Sequence, residues 1–138
     1  MNHEKRILII NNEAAVHRAF DLGFEDSGYQ LTIVTQGDQG VEEIKNKHYH
    51  LIFLNILKPD LLGIRTVQHI RALTMTVPIY IITLFDRDIL IGLDEARKAG
   101  LPFQVLRKPI GSIELLAIAQ SVLDRPIPVM VSHEELTI

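Results

Sequence analysis

Polar side chains follow the short apolar runs of this sequence, and these are the positions where chemistry is expected. Five of them stand out, namely Asn11, Asn12, Asn55, Thr83 and Lys108. The three asparagine amides donate and accept hydrogen bonds, but they carry no charge and are poor nucleophiles. The chain also has no cysteine and shows no Ser-His-Asp ordering. Covalent catalysis and thiolate metal sites are therefore not indicated.

The elements that would position these side chains alternate between two hydrophobic patterns. Apolar runs of strand length predict strands at Ile7–Ile10, Leu31–Thr35, Leu51–Leu54, Ile79–Thr83 and Phe103–Leu106. Segments of helical period predict helices from Ala14 to about Asp26 and at Asp38–Lys47, Leu62–Leu73, Asp86–Ala99 and Ser112–Leu123. Asp38 is the expected N-cap of the second helix, and Gly100 is the expected left-handed cap after the fourth.

Five strand–helix repeats indicate an α/β fold with a doubly wound five-stranded parallel sheet. Right-handed crossovers are expected to place alternate helices on opposite faces of the sheet. Ligands of such sheets bind outside the carboxyl ends of the strands, where the strand order reverses. The polar side chains named above follow those ends, so we expect them to lie together in one pocket.

Charge and length exclude several classes of protein. The formal net charge of −3 gives no general attraction to nucleic acid or to an anionic membrane. The polar start Met1–Arg6 precedes an apolar run too short for a signal segment or a membrane span, so a cytoplasmic location is expected. The six histidines show no metal-ligand spacing.

Four segments, in this order along the chain, resemble the receiver domain of bacterial response regulators. They read RILIINNEA, HLIFLNILKPDLLG, IYIITL and VLRKP, and the second includes a Pro-Asp-x-x-Gly turn at Pro59, Asp60 and Gly63. The resemblance extends from Arg6 to about Leu123. It implies a flavodoxin-like topology with strand order 2-1-3-4-5 and helices on both faces.

The resemblance also implies a role for each polar position, and several of the residues depart from the family. Asn11 and Asn12 stand where the family has two acids that hold magnesium, and Asn55 stands where it has the aspartate that is phosphorylated. Thr83 matches the switch hydroxyl, and Lys108 with Pro109 matches a phosphate-contacting lysine before a bond that is usually cis. Val105 stands where the family has a switch aromatic residue.

Phosphoryl transfer needs an anionic oxygen and a divalent cation, so these replacements predict no phosphorylation at Asn55 and weak or absent magnesium binding. No other cofactor or metal is expected. Amides also remove the repulsion among clustered carboxylates, and the pocket is expected to satisfy its own hydrogen bonds. Glu13, the one acid nearby, is interpreted as an acid of the helix's first turn that interacts with the dipole.

Two retained residues have more than one interpretation. Thr83 is either a switch residue or a threonine that merely ends a strand. Lys108 either donates to the Asn55 carbonyl oxygen or drifts to the surface, where long side chains are readily solvated.

The resemblance implies a protein-binding surface on the face made by the fourth helix, the fifth strand and the fifth helix, because members of the family signal through that face. Ile89, Leu90 and Ile91 spread over about 200° of a helix, so one or two of them must be exposed or covered. The last helix, which contains Ile118, is apolar nearly all round. Three kinds of contact could cover this surface, namely a protein partner, a second copy in a homodimer, or the segment Ile127–Val131.

These features predict a non-catalytic receiver-like signalling module that acts through protein contacts. The domain is expected over residues 1–123, with a proline-containing tail over residues 124–138. No DNA-binding domain is expected within a tail of this length, and no nucleic-acid or membrane partner is expected. The alternatives are a regulator that responds to a small ligand in the altered pocket, or a small flavodoxin-like enzyme.

Overall fold

The computed structural model describes residues 4–58 and 62–124. Strands and helices alternate along the chain in the order β1 (Arg6–Ile10), α1 (Ala14–Phe24), β2 (Gln30–Val34), α2 (Gly37–Asn46), β3 (Leu51–Ile56), α3 (Leu62–Leu73), β4 (Ile79–Thr83), α4 (Arg87–Lys98), β5 (Gln104–Arg107) and α5 (Ser112–Leu123). All the strand pairs are parallel, and the order across the sheet is β2-β1-β3-β4-β5. The predicted α/β fold, strand order and doubly wound topology are confirmed.

Two apolar layers cover the sheet. One joins alternate strand residues such as Leu8, Ile52 and Ile81 to residues of α3 and α4, and Val41 and Ile44 of α2 pack against it. The other joins Ile7, Ile9, Phe53 and Ile82 to Phe20 of α1 and Leu115 of α5. The central strands are buried on both sides, which is why they read as unbroken apolar runs rather than as alternating ones.

The helices do not alternate between the two faces, and this corrects the expectation from crossover handedness. With right-handed crossovers, the face that a helix covers depends on the direction in which the chain moves across the sheet. The chain moves one way from β1 to β2 and then the other way through β3, β4 and β5. Helices α2, α3 and α4 therefore share one face, and α1 and α5 share the other.

Local capping decides where the helices begin and end. The predicted cap Asp38 is wrong, because Gln36 is the N-cap of α2 and Asp38 lies in the first turn. The Gln39 side chain accepts from the backbone N–H of Gln36 at 3.0 Å, which completes a capping box. Gly100 adopts φ +87°, so the expected left-handed residue after α4 is confirmed.

Within these described ranges, no helix combines the length and the apolar character needed to cross a membrane. The tail residues 125–138, including the segment Ile127–Val131 considered as a cover, lie outside the described part of the chain. Pro59 and Asp60 of the predicted turn lie outside it too, whereas Gly63 lies in the first turn of α3.

Candidate functional site

The candidate site lies at the carboxyl edge of the sheet, where β1, β3, β4 and β5 end. Asn11 follows β1, and Asn55 is the fifth residue of β3. Asn55 is paired with Ile82 of β4, and Thr83 is paired with both Ile56 and Arg107. The register of four parallel strands thus brings together residues that are far apart in sequence.

Asn11 organises the loop that follows β1. Its side chain is buried, its Oδ1 accepts from the Glu13 backbone N–H at 3.0 Å, and its Nδ2 donates to the Glu13 carbonyl oxygen at 3.0 Å. Its own backbone N–H donates to the carbonyl oxygen of Val34 at 2.9 Å. A short amide side chain that bonds the backbone two residues on fixes the direction of the turn. Here that turn carries Glu13 into the pocket.

Asn55 presents its NH2 group to two acceptors. Nδ2 lies 2.8 Å from Asn11 Oδ1 and 3.1 Å from Glu13 Oε1. The other amide atom, Oδ1, is buried and has no hydrogen-bond partner among the described residues. The expectation that the pocket satisfies all its own hydrogen bonds is therefore wrong at this atom.

Glu13 and Lys108 form the charged centre of the site. Lys108 Nζ donates to Glu13 Oε1 at 2.8 Å, and the side chains are 14% exposed for Lys108 and 36% exposed for Glu13. The hydrogen bond from Lys108, followed by the one from Asn55, holds the pKa of Glu13 below its ordinary value, although burial opposes the shift. Glu13 is therefore ionised at neutral pH, and the pair contributes no net charge.

This pair corrects two interpretations drawn from the sequence. Glu13 does not lie along the first turn of α1 as a dipole acid, because it is the N-cap residue and its carboxylate bonds Lys108 and Asn55. Lys108 neither donates to the Asn55 carbonyl oxygen nor drifts to the surface. The position of Glu13 directly after the two asparagines indicated in the sequence that it could belong to the site. Only the turn made by Asn11 shows where the Glu13 side chain points.

The remaining predicted residues fall at different depths. Asn12 is exposed, which corrects the expectation that it lines the pocket with Asn11. Thr83 is fully buried, and its Oγ1 lies 2.9 Å from the carbonyl oxygen of Ile56 and 3.1 Å from that of Leu84. A hydroxyl turned onto the backbone in this way fits the strand-ending interpretation.

The peptide bond between Lys108 and Pro109 is cis, as the resemblance implies. The backbone N–H of Lys108 donates to the carbonyl oxygen of Thr83 at 2.9 Å, and this bond continues the pairing of β4 with β5 beyond the end of the strands. Across the described ranges, no three His, Cys, Asp or Glu side chains come together as ligands for a metal ion.

The predicted interaction surface is only partly exposed. Leu90 is 38% exposed and Ile91 is 49% exposed, in agreement with the prediction that one or two of the residues 89–91 are exposed or covered. Ile89 is buried in the core, and Ile118 is half-buried against the α1–α5 layer, so neither belongs to a free surface. These two positions correct the prediction.

Sequence reasoning missed the residues that complete this surface. Leu84 and Phe85 follow β4 and are 58% and 44% exposed. The Arg107 guanidinium lies over the Phe85 ring at 5.1 Å from its centroid. Phe85, Leu90 and Ile91 line a shallow cavity of about 500 Å³ with charged residues of α4. Residues of a strand-to-helix turn have no hydrophobic period, so no sequence pattern marked them.

Comparisons with known proteins connect this geometry to one family. A family model described as the response regulator receiver domain matches residues 7–120. The response regulator ArlR of Staphylococcus saprophyticus is 31% identical over 122 residues, which cover 87% of this chain and 53% of that protein. The uncharacterized transcriptional regulatory protein YkoG of Bacillus subtilis is 29% identical over 113 residues, which cover 80% of this chain and 47% of that protein. The chain spans about half the length of these curated relatives.

Solved structures show the same fold. A CheY-like response regulator receiver domain protein from Methanospirillum hungatei aligns with a TM-score of 0.72 at 24% identity, covering 87% of this chain and 94% of that chain. A two-component response regulator from Clostridium difficile aligns with a TM-score of 0.70 at 25% identity, covering 88% of this chain and 97% of that chain.

Proposed function

Because the chain belongs to the response regulator receiver family, we propose that it is a receiver-fold signalling module that acts through protein contacts without phosphorylation at Asn55. The single observation that supports this most strongly is the direction of the Asn55 amide. Its NH2 group, rather than an acceptor oxygen, faces Asn11 and Glu13. A donor at this position serves the network of hydrogen bonds and offers no nucleophile.

The charge balance of the pocket supports the same proposal. An incoming phosphoryl group needs free positive charge to stabilise it in the transition state. Lys108, the cation of the site, is already bonded to Glu13 at 2.8 Å. Glu13 thus supplies, from the chain itself, the anion beside the lysine that a phosphoryl group supplies in the family. The described residues of the pocket carry no net charge without a ligand.

The donor set fits magnesium poorly. Magnesium prefers carboxylate oxygens and retained waters in near-octahedral geometry. Among the described residues, Glu13 is the one carboxylate of the site, and it shares its Oε1 with an ammonium and an amide NH2. We propose that magnesium binds weakly or not at all, because it would have to displace both donors.

Protein contact is proposed for the surface formed by Leu84, Phe85, Leu90 and Ile91, which we call the α4 surface. Apolar side chains exposed next to one another, with charged residues around them, are typical of interaction sites. The curated relative YkoG is named as a transcriptional regulatory protein, and we propose that partner binding at the α4 surface connects the chain to transcription.

As a second candidate function, a protein of the same fold would respond to a small ligand bound in the altered pocket. It is favoured by the buried, unpartnered Oδ1 of Asn55, which would accept a hydrogen bond from a bound donor. A catalytic role finds less support, because a carboxylate whose pKa is lowered is a weak general base near neutral pH.

Intact mass spectrometry after incubation with acetyl phosphate and magnesium tests the main proposal. We expect no mass increase in the wild-type chain, and we expect amide NMR spectra that do not change on adding magnesium and beryllofluoride. Asn55→Asp is the matched variant that restores the family's phosphoacceptor. Stable phosphorylation of the wild-type chain would exclude the proposal.

A further inference from the structure

A second cleft lies at the amino edge of the sheet, on the side opposite to the candidate site. It opens between the segment that leads from α2 into β3 and the segment that leads from α3 into β4, and its volume is about 520 Å³. Its apolar lining residues include Ile44, Ile52, Leu73 and Val77. This volume falls in the range of small-molecule sites, and such sites are mostly apolar.

The rim of the cleft is basic. Lys45, Lys47, His48 and His50 line it, and none of its described lining residues is an acid. Lys45 Nζ is 4.0 Å from Glu42 Oε1, and Lys47 Nζ is 3.7 Å from Glu43 Oε1. Both lysine side chains are 53% exposed, and ion pairs this long at exposed lysines are weak, so both ammonium groups keep most of their capacity for another anion.

The two histidines are held in a positive environment. Their rings meet edge to face with centroids 4.7 Å apart, and His50 Nδ1 accepts from the Arg6 backbone N–H at 3.0 Å. Burial, followed by the charges of His48, Lys5 and Arg6, lowers the pKa of His50. The negative dipole ends of α2 and α3 also point toward this edge, but Lys45 and Arg71 in their last turns offset them.

We propose that this cleft binds a small amphipathic anion, namely a carboxylate carried on an aromatic or alkyl body. The apolar residues would cover the body, and the lysines and His48 would face the carboxylate. A neutral ligand would forgo the charge interaction, and a cation would meet like charges on the rim. Binding in this cleft does not involve Asn55. An experiment that excludes one of the two proposals therefore leaves the other unaffected.

The test uses the full chain and two matched probes, 4-phenylbutyrate and the neutral 4-phenylbutan-1-ol. Amide NMR titration should show saturable shifts for phenylbutyrate at residues 44–52 and 73–78, with a dissociation constant in the millimolar range. The alcohol should bind more weakly. Lys47→Gln should weaken phenylbutyrate binding about two- to five-fold, and adding Lys45→Gln should weaken it again by a similar factor.

Lys98→Gln is the matched control, because this exposed lysine of α4 pairs with Asp94 at 3.1 Å and does not line the cleft. It should leave the affinity unchanged. Leu73→Gln alters the apolar part at a side chain that is 47% exposed, so the fold should tolerate it while binding falls. Equal affinity for acid and alcohol, shifts centred on α4, or no saturable shifts up to about 10 mM would each overturn the proposal.

Discussion

At the scale of single residues, the amide at position 55 is matched to its neighbours in a way that a carboxylate is not. Nδ2 of Asn55 donates to Asn11 Oδ1 and to the ionised Glu13. A carboxylate oxygen in place of Nδ2 would lie at about hydrogen-bond distance from Asn11 Oδ1 and Glu13 Oε1. All three oxygens are acceptors, so neither hydrogen bond could form. The asparagine therefore suits this particular network, and under the proposed function it also offers no nucleophile.

Asn55→Asp should destabilise the protein in the absence of metal. Repulsion between the new carboxylate and Glu13, with the loss of two hydrogen bonds, should lower the free energy of unfolding by about 1–3 kcal/mol. Magnesium should restore part of this loss, because the variant has two neighbouring carboxylates. Urea denaturation with and without magnesium measures both effects.

Asn12→Asp is the matched control, because Asn12 is exposed. It should change the free energy of unfolding by no more than about 0.5 kcal/mol, with or without magnesium. Equal destabilisation by the two substitutions would contradict the proposed role of the Asn55 amide.

Lys108→Met should raise the pKa of Glu13. The hydrogen bond from Lys108 is the largest cause of the lowered pKa, and Asn55 remains as the second. NMR titration of the Glu13 carboxyl carbon should therefore show a value closer to that of an ordinary glutamate. A pKa that does not move would show that the Glu13–Lys108 contact is absent in solution.

The same contact predicts a pH dependence of stability. Because the folded-state pKa of Glu13 is lowered, its stabilising contribution is present above the unfolded pKa and is lost as the pH falls through the folded pKa. The contribution should be under about 1 kcal/mol, since the carboxylate is partly exposed and screened by solvent. Lys108→Met should remove most of this acid dependence, whereas Lys98→Met should not, which paired urea titrations at acid and neutral pH can check.

At the scale of elements, one buried arginine joins the end of α3 to the loop before β5. Arg71 is 5% exposed and donates from Nε and Nη2 to the Pro102 carbonyl oxygen, at 3.0 and 2.8 Å. Its Nη1 donates to the Thr74 carbonyl oxygen at 3.2 Å. The planar guanidinium can bond two separate backbone segments at once.

Arg71→Met should lower the free energy of unfolding by about 1–3 kcal/mol, because those hydrogen bonds are lost. Arg71→Lys should recover little, since an ammonium cannot reproduce the fork of donors. Chemical denaturation measures the effect, and amide exchange should quicken around Leu101 and Phe103. Arg97, which stacks on Phe103 at 4.5 Å and is exposed, is the matched control. Arg97→Met should cost no more than about 1 kcal/mol, and equal losses would argue against the proposed role of Arg71.

At the scale of the whole molecule, the two edges of the sheet differ in character. The carboxyl edge holds the Glu13–Lys108 ion pair, and the residues Leu84 and Phe85 are exposed at the same edge. The amino edge holds the basic cleft described above. If the pocket does not switch between two conformations, the function of the protein depends on its contact surfaces. It then does not depend on a chemical step at Asn55.

Ile91→Asp should abolish association through the α4 surface. In sedimentation equilibrium, we expect the wild-type chain to approach the mass of a two-fold dimer as its concentration rises, because the surface is apolar with charges of both signs around it. The variant should stay monomeric. Leu22→Asp is the control, since this residue of α1 is 64% exposed on the other face. A wild-type chain that is monomeric throughout would exclude the homodimer.

Much of the architecture was determined by sequence alone. Strands such as Leu51–Leu54 are recognisable because a strand buried on both faces needs apolar residues throughout, and this pattern is local. The order of strands and helices, the left-handed Gly100 and the exposure of one or two of the residues 89–91 all follow from such local rules. The asparagines at positions 11, 12 and 55 are likewise known from the sequence alone, because they are a property of residue types.

Tertiary structure alone decided which side chains meet. Glu13 and Lys108 are 95 residues apart, and no local pattern indicates that they form an ion pair at 2.8 Å. The same holds for the orientation of the Asn55 amide, the exposure of Asn12 and the burial of Ile89. The physical reason is that strand register and the turn at Asn11 set these distances through long-range packing, whereas sequence patterns report the preferences of one segment at a time.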